Sequence, residues 1–290
     1  MKPPPFAYHD PTTIEEAADL IGRLDNAMPL AGGQSLMPML NFRVVAPDHL
    51  IDLNRVAGLS YIDIKDGAGR LGAMTRQRDI EFSADVAKAF PVIHQALKHV
   101  GHRQTRNRGT IGGSLCHLDP AAELPAVAAG MDATIVVTGP NGQREIAFRD
   151  FPAGFMTPAI EGNEIVTAVR FPLWPTGHKS AFVEFARRHG DFAIVSAAVL
   201  LELTAGKISR ASVTLGGIAM APVRAEAVER AITSQTPSSE LFRKACESCR
   251  SIEALSDIHA AADYRQHLAA VLSRRALERA CGLPTPGALH

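Results

Sequence analysis

The fold is decided by the stretch Arg106-Asn-Arg-Gly-Thr-Ile-Gly-Gly-Ser-Leu-Cys-His-Leu-Asp-Pro-Ala-Ala-Glu-Leu-Pro125. Its glycine pair, Gly112 and Gly113, lies between Thr110 and Ser114. Paired glycines lose much backbone entropy on folding, so a loop keeps them where the main chain needs a positive φ or a close approach. Successive N–H groups freed in this way form a concave nest for anions. The stretch therefore predicts an anion-binding loop.

A second glycine pair lies in Ala31-Gly-Gly-Gln-Ser-Leu36, directly after the apolar Met28-Pro-Leu30. Either pair alone would also fit a simple strand-to-helix turn that needs one left-handed residue. Two such loops, each with a hydroxyl able to donate to a phosphate oxygen, suit a diphosphate better than a single phosphate. Neither loop contains the Gly-Lys-Ser/Thr sequence of a P-loop. Together the two loops predict a cradle for a diphosphate.

The composition is that of an ordinary globular protein, with 46% hydrophobic and 21% charged residues in a chain of 290. Lys+Arg 30 and Asp+Glu 30 give zero formal charge, which argues against nucleic acid or an anionic membrane as the main partner. No segment has the signal-peptide pattern or the roughly 20 apolar residues of a membrane span. Four scattered cysteines suit no disulfide framework. We therefore expect a cytoplasmic protein.

The pattern of apolar residues predicts an α+β fold in three parts. Residues 1–57 alternate strands and helices as a small α/β unit does, residues 58–177 add hairpins of a mixed sheet, and residues 178–290 hold antiparallel strands and then helices. The predicted strands are residues 27–30, 49–53, 61–64, 70–74, 133–138, 144–148, 164–171, 181–186, 194–203 and 211–218. The predicted helices are residues 14–24, 36–41, 91–100, 221–232, 239–250 and 263–280.

Other motifs in the chain carry no site. Gly67-Ala-Gly-Arg-Leu-Gly72 matches G-x-G-x-x-G but sits in a predicted hairpin, whereas a dinucleotide fingerprint must follow a strand and open a helix. Cys246-Glu-Ser-Cys249 lies in a helical stretch without a second cysteine pair, so we interpret it as two half-buried thiols. We interpret the histidines near the central loop as surface or loop residues without metal-binding spacing. These are His94, His99, His102 and His117.

Two positions outside the glycine loops suit a cofactor. Glu123 would meet a ribose or adenine edge, although a glutamate in the first turn of a helix is an equally ordinary interpretation. Phe192, in a hairpin predicted over residues 187–193, would cover a planar ring. The chain has no Ser-His-Asp set, no G-x-S-x-G and no zinc motif. It thus offers no catalytic residue of its own, which points to a cofactor that carries the chemistry.

The chain resembles the FAD-binding medium subunit of bacterial molybdenum hydroxylases, the family of xanthine dehydrogenase, carbon monoxide dehydrogenase and quinoline 2-oxidoreductase. The resemblance spans nearly the whole chain, and the two Gly-Gly loops are its specific part. The matching segments are residues 5–8, 30–36, 72–75, 106–114, 123–125, 188–193 and 274–278. The resemblance implies a two-part FAD-binding domain of the vanillyl-alcohol-oxidase (PCMH) type, followed by a C-terminal flavoprotein domain of antiparallel strands and helices.

The resemblance also implies which residues serve the cofactor. The two loops would hold the FAD diphosphate. Glu123 would lie near the adenosine, where the family usually has Asp, and Phe192 near the isoalloxazine, where Tyr is frequent. The implied cofactor-binding residues are Ala31, Gly32, Gly33, Gln34, Ser35, Leu36, Val100, Gly101, Thr110, Ile111, Gly112, Gly113, Ser114, Glu123, Val166 and Phe192. No catalytic residue and no metal ligand is implied in this chain.

The partners implied by the resemblance are a large molybdopterin subunit and a small subunit with [2Fe-2S] clusters, assembled as a dimer of heterotrimers. This chain would pass electrons from the clusters through FAD to an external acceptor. Two alternatives stay open. A self-contained flavin-dependent oxidase would need its own substrate pocket and acid–base residue, and a non-catalytic assembly module would have lost its FAD.

Overall fold

The structure is a computed structural model that describes residues 2–284, and its main sheets have three, five and four strands. The strands are β1 Ala7–His9, β2 Ala27–Leu30, β3 His49–Asp52, β4 Ile62–Lys65, β5 Ala68–Gly72, β6 Thr134–Gly139, β7 Gly142–Ala147, β8 Pro152–Gly154, β9 Thr157–Pro158, β10 Ile165–Pro172, β11 Lys179–Phe185, β12 Val195–Thr204, β13 Lys207–Gly216 and β14 Val223–Arg224. The helices are α1 Ile14–Arg23, α2 Leu36–Asn41, α3 Gln77–Glu81, α4 Ala84–Ala89, α5 Pro91–Leu97, α6 Arg103–Arg108, α7 Ile111–His117, α8 Glu123–Gly130, α9 Glu226–Ile232, α10 Ser239–Cys246 and α11 Ala262–Cys281.

A small parallel sheet, in the order β1-β3-β2, opens the chain. Helix α1 packs beside it and begins with a reciprocal capping arrangement. The Thr13 side chain accepts from the Glu16 amide at 3.2 Å, and Glu16 Oε2 accepts from the Thr12 amide at 2.9 Å. The first glycine loop follows β2 directly, so it lies at the carboxyl edge of the sheet, where open α/β sheets bind their ligands.

The second sheet has the order β4-β5-β10-β6-β7 and is antiparallel throughout. Strands β4 and β5 form the predicted hairpin, whose turn residues Asp66 and Gly67 both have positive φ. Gly69 and Gly72 lie within β5 and no helix starts there, so the G-x-G-x-x-G match is not a dinucleotide fingerprint. One apolar core fills the space between this sheet, helices α5 and α8, and one face of the third sheet.

The third sheet has the order β11-β12-β13-β14, and helices α9, α10 and α11 cover its other face. The α+β prediction is thus confirmed, with two corrections here. Helix α9 begins at Glu226 rather than at residue 221, because Val223 and Arg224 extend the sheet by pairing with β13. Cys246 and Cys249 are fully rather than half buried, since α10 and the turn after it pack on α11.

Among residues 2–284, no helix combines the length and the apolar character that crossing a membrane requires. The limits predicted between the three parts of the chain, at residues 57 and 177, stay a prediction.

Candidate functional site

The two glycine loops touch each other. A Cβ added at Gly32 would collide with Arg108 O and would lie 2.8 Å from Gly109 Cα. A Cβ added at Gly113 would come within 3.5 Å of Ala31 Cβ. Glycine at position 32 is therefore required by the close approach of the second loop, and the fold brings the two predicted segments into one place.

The first loop presents free main-chain donors. Within the described part of the chain, the amides of Gly33, Gln34, Ser35 and Leu36 donate to no protein acceptor. Gly33 has a φ of +71°, which turns the chain into α2. The Ser35 side chain makes no capping bond to α2 and stays available as a donor. Consecutive free amides of this kind bind anions, as the sequence predicts.

The second loop differs, because its main-chain donors are already used. The predicted nest is instead the start of helix α7, and all four amides from position 111 to 114 have protein acceptors. The bonds are Ile111 N to Thr75 O at 3.2 Å, Gly112 N to Ala73 O at 2.9 Å, Gly113 N to Thr110 Oγ1 at 3.0 Å and Ser114 N to Thr110 O at 3.1 Å. The expectation of a second amide nest is therefore wrong, and this loop offers hydroxyl groups rather than amides.

Gly112 shows why this loop needs glycine all the same. A Cβ there would lie 2.6 Å from Ala73 Cβ and 2.7 Å from Ala73 O, so the start of α7 packs directly on the chain that leaves β5. Thr110 caps the helix through its side-chain oxygen but keeps its O–H hydrogen for another acceptor. The second loop thus acts as a tightly packed wall beside the first.

A cavity of about 390 Å³ lies against the first loop. This volume is within the range of roughly 300–1,000 Å³ that is usual for ligand pockets. The lining residues are Leu30, Ala31, Gly32, Gly33, Gln34, Met37, Pro38, Asp52, Asn54 and Arg108. The Arg108 side chain makes no ion pair within the described residues, and it brings a positive charge to a lining that also contains the Asp52 carboxylate.

The sequence prediction missed the polar residues beside this cavity. Asp52 is the last residue of β3 and Asn54 follows it shortly. Tyr8 Oη donates to Asp52 Oδ2 at 2.5 Å, which raises the pKa of Tyr8. Arg76 lies beside them, and its pKa is lowered by burial first and by the charge of Arg108 second. One signal was available: Asp52 and Asn54 stand at the carboxyl end of a parallel strand, at the same edge as the first loop.

Other predicted residues form a separate group. The turn at Gly101, with a φ of +45°, contacts the predicted hairpin loop between β11 and β12. A Cβ added at Gly190 would lie 3.2 Å from Gly101 O. Phe192 stands in that loop and is 68% exposed, and Val100 is half-buried against the core. None of these residues lines the 390 Å³ cavity.

Glu123 and Val166 are interior residues. Glu123 is the first residue of α8, where burial and then the Glu184 carboxylate raise its pKa to about 8. The helix-start interpretation of Glu123 is therefore confirmed, and at neutral pH the buried side chain is mostly protonated. Val166 lies on β10 within the core between the sheets.

Three of the four histidines, His94, His99 and His117, are half-buried rather than surface residues as expected, and His102 is exposed. His94 Nδ1 is bonded to Glu81 O at 2.9 Å, and His99 Nδ1 lies 3.2 Å from Glu184 Oε1. Both side chains are half-buried because they anchor helix α5 and the chain after it. Within residues 2–284, no group of three or more His, Cys, Asp or Glu side chains is placed to hold a metal ion.

The fold and the site together define a dinucleotide-binding domain of the flavoprotein type. Of the residues predicted to hold a diphosphate, Ala31 to Gln34 line the cavity together with Arg108, whereas Ser35, Leu36 and residues 110–114 do not. The collision that a Cβ would cause at Gly32 shows that the cradle depends on the glycine pattern itself.

Two known protein families match this chain and identify the kind of flavoprotein to which it belongs. Residues 4–174 match the FAD binding domain in molybdopterin dehydrogenase, and residues 180–280 match the CO dehydrogenase flavoprotein C-terminal domain. The chain belongs to this family of FAD-binding oxidoreductase subunits. The expectations of FAD as the cofactor and of an oxidoreductase are confirmed.

Relatives align along nearly the full length. The 6-hydroxypseudooxynicotine dehydrogenase complex subunit alpha of Paenarthrobacter nicotinovorans is 37% identical, covering 97% of this chain and 96% of that protein. The carbon monoxide dehydrogenase medium chain of Afipia carboxidovorans is also 37% identical, covering 97% and 98%. A solved structure of carbon monoxide dehydrogenase from Hydrogenophaga pseudoflava superposes with a TM-score of 0.94 at 35% identity, covering 97% and 99%.

Proposed function

We propose that this chain is the FAD-carrying electron-transfer subunit of a heterotrimeric molybdenum hydroxylase. In that role it receives electrons from the [2Fe-2S] clusters of a small partner subunit and passes them to an external acceptor. The substrate is oxidised at the molybdopterin of a large subunit. The observation that carries the proposal is the first glycine loop, whose free amides face no protein acceptor among the described residues and whose Gly32 packs on the second loop beside a cavity that Arg108 lines.

The chain's own residues bind and orient the cofactor in this proposal. The amides of residues 33–36 and the Arg108 side chain hold the diphosphate, while Thr110 and Ser114 donate their hydroxyl hydrogens. FAD, when bound, supplies the electron chemistry that no side chain provides. The Gln34 side chain donates to Gly32 O at 3.2 Å and so bonds within the first loop.

The remaining predicted residues belong to the rest of the cofactor site. Val100 and Gly101 lie beside the hairpin loop that carries Phe192, so this group borders one end of the cofactor, with Val166 in the core behind it. Glu123, mostly neutral at pH 7, is able to donate a hydrogen bond as well as to accept one. A neutral acid suits a neutral adenosine better than a charged carboxylate would.

The partners we propose are the large molybdopterin subunit and the small iron–sulfur subunit, in a dimer of heterotrimers. Support comes from the relatives, whose names describe a medium chain and a complex subunit. We propose a cytoplasmic complex without membrane insertion and without nucleic acid. The balanced charge of the chain supports this assignment.

The test is an absorbance spectrum of the full chain, purified alone and after co-expression with the two partner subunits. We expect about one FAD per chain, identified chromatographically after heat release, and iron–sulfur absorbance only in the complex. Addition of substrate to the complex should bleach the flavin, and the same addition to the isolated chain should not. Colourless preparations would support the assembly module, and substrate turnover by the isolated chain would support the self-contained oxidase.

A further inference from the structure

One carbonyl from each glycine loop is tied to the same pair of side chains. Arg76 Nη1 donates to Arg108 O, next to the point where the second loop meets Gly32. Arg76 Nη2 donates to Asn54 Oδ1, and Asn54 Nδ2 donates to Ala31 O at 3.1 Å. Three consecutive hydrogen bonds therefore connect Arg108 O of the second loop to Ala31 O of the first.

The Asn54 side chain is fixed in orientation by hydrogen bonds to Asp52 and Ala31. Asp52 Oδ1 accepts from the Asn54 amide at 2.9 Å and also from Asn54 Nδ2, while Asp52 Oδ2 accepts from Tyr8 Oη. Both Nδ2 hydrogens of Asn54 thus have acceptors, Ala31 O and Asp52 Oδ1. The carboxamide can turn only one way, which leaves Oδ1 facing Arg76.

Arg76 is seated by its own main chain against the second loop. Arg76 and Thr110 form an isolated antiparallel bridge. The Gln77 amide donates to Gly109 O at 2.8 Å, and the Ile111 amide donates to Thr75 O at 3.2 Å. The backbone of this segment therefore fixes the second loop, and the Arg76 side chain is the part that reaches the first.

Within residues 2–284, Arg76 has no carboxylate in direct contact, although the charges of Asp79 and Asp52 act on it from farther away and favour its charged form. Among the described residues its acceptors are a carbonyl and a carboxamide, and it forms no salt bridge. Burial and the neighbouring charge of Arg108 both lower its pKa. The guanidinium of Arg76 is therefore held by two neutral oxygen acceptors, one on each side, which fixes its position between the two loops.

We propose that Arg76 and Asn54 are positioning residues that form a latch between the two glycine loops, so that the diphosphate is held only when both loops are in register. The latch rests on the proposed function, because its ligand is the diphosphate of FAD. Arg76 acts through the carbonyl of Arg108, and Asn54 through the carbonyl of Ala31.

The test measures the dissociation constant and the release rate of FAD for the full chain and for four variants. The variants are Arg76→Met, Asn54→Leu, the double variant, and Arg108→Met. We expect each latch substitution to weaken FAD binding about 10- to 100-fold, because each removes hydrogen bonds that involve a charged group. The double variant should bind no more weakly than the worse single variant, since either change opens the same chain of bonds.

Arg108→Met is the matched control for charge. It removes a positive charge from the same cavity but leaves the Arg108 carbonyl, and hence the latch, in place. Its effect on FAD binding should therefore add to that of Asn54→Leu. If Arg76→Met and Asn54→Leu were additive with each other, or if either bound FAD like the wild type, the latch would be overturned.

Folding is checked by far-UV circular dichroism and by urea unfolding of each variant without FAD. A merely structural role would lower the free energy of unfolding and leave the FAD release rate of the folded fraction unchanged. Arg76→Lys keeps the charge and reaches one acceptor, so it should restore FAD binding in part, and full loss despite normal folding would contradict the latch. A wild-type chain without FAD overturns the proposed function and the latch together, whereas FAD binding that ignores positions 54 and 76 overturns the latch alone.

Discussion

The two glycine loops have similar sequences but differ in the hydrogen bonding of their main-chain amides. In the first loop the amides of residues 33–36 have no protein acceptor among the described residues, whereas in the second every amide of residues 111–114 is bonded. The first loop has the free amides that an anion nest requires, and the second is a packed support. A glycine pair with a nearby serine therefore permits a close approach of the main chain but does not decide which group approaches.

The surroundings explain the difference. The first loop follows the carboxyl end of β2, which is an edge strand of the small parallel sheet, so in the described chain no further strand of that sheet lies on the outer side of β2. The second is enclosed by the segment Thr75–Gln77 and by Ala73, which take its amides and its glycine surface. The amides of the first loop stay free for a ligand, and the packed second loop supports the first loop through the contact at Gly32.

The largest effect is expected from Gly32→Ala, which forces the two loops apart. The added Cβ would collide with Arg108 O, a main-chain atom that cannot turn away. We expect a loss of nearly all bound FAD and a fall of about 1–3 kcal/mol in the free energy of unfolding, as for other overpacked sites. Flavin-to-protein ratios and urea unfolding provide the measurement.

Gly162→Ala is the matched control, because a Cβ there meets no atom within 4 Å. It should keep its FAD. Retention of FAD by Gly32→Ala would show that the loops need not touch.

The next largest effect is a pH dependence of the free energy of unfolding, which comes from Glu123 at the start of α8. The pKa of Glu123 rises to about 8 in the folded chain from an ordinary 4.5. Between these values the folded state keeps a proton that the unfolded state has lost. The stabilisation is therefore complete below pH 4.5, falls as the pH rises, and is gone above pH 8.

In Glu123→Gln this decline should disappear. The wild-type free energy of unfolding should fall by roughly 2–4 kcal/mol more than that of the variant over this pH range. Urea unfolding at several pH values from 5 to 9 measures it. The exposed Glu15 provides the control, since Glu15→Gln should keep the wild-type slope. Identical slopes in wild type and Glu123→Gln would contradict a buried neutral acid.

The smallest effects separate the two hydroxyls. Thr110 caps α7, so Thr110→Val should lower the free energy of unfolding of the FAD-free chain by about 1 kcal/mol, with Thr110→Ser as the conservative control. Ser35 makes no cap, so Ser35→Ala should leave that free energy within about 0.5 kcal/mol and weaken FAD binding about fivefold. Chemical unfolding and flavin titration distinguish them. Equal behaviour of the two variants would remove the difference between the loops.

Much of the fold was predictable because its signals are local. The bounds of β2 and α2 match the predicted residues, and the turn at Asp66 and Gly67 forms the predicted hairpin. Helix α8 was suggested only by the helix-start interpretation of Glu123, because seven of its eight residues are buried, which leaves no polar face to reveal a helical period. Helix α3, with five residues, is too short to show one.

The sequence by itself determined the two glycine segments and the resemblance to a flavoprotein family, and it supplied the expectation of a shared diphosphate, because these depend on neighbouring residues. Only the tertiary structure decided which loop keeps free amides, where Arg108 stands, and how Arg76 and Asn54 join the loops. Those features depend on contacts between residues 31, 54, 76 and 108. Positions so far apart along the chain are brought together by the packing of sheets and helices, which no local pattern of residues records.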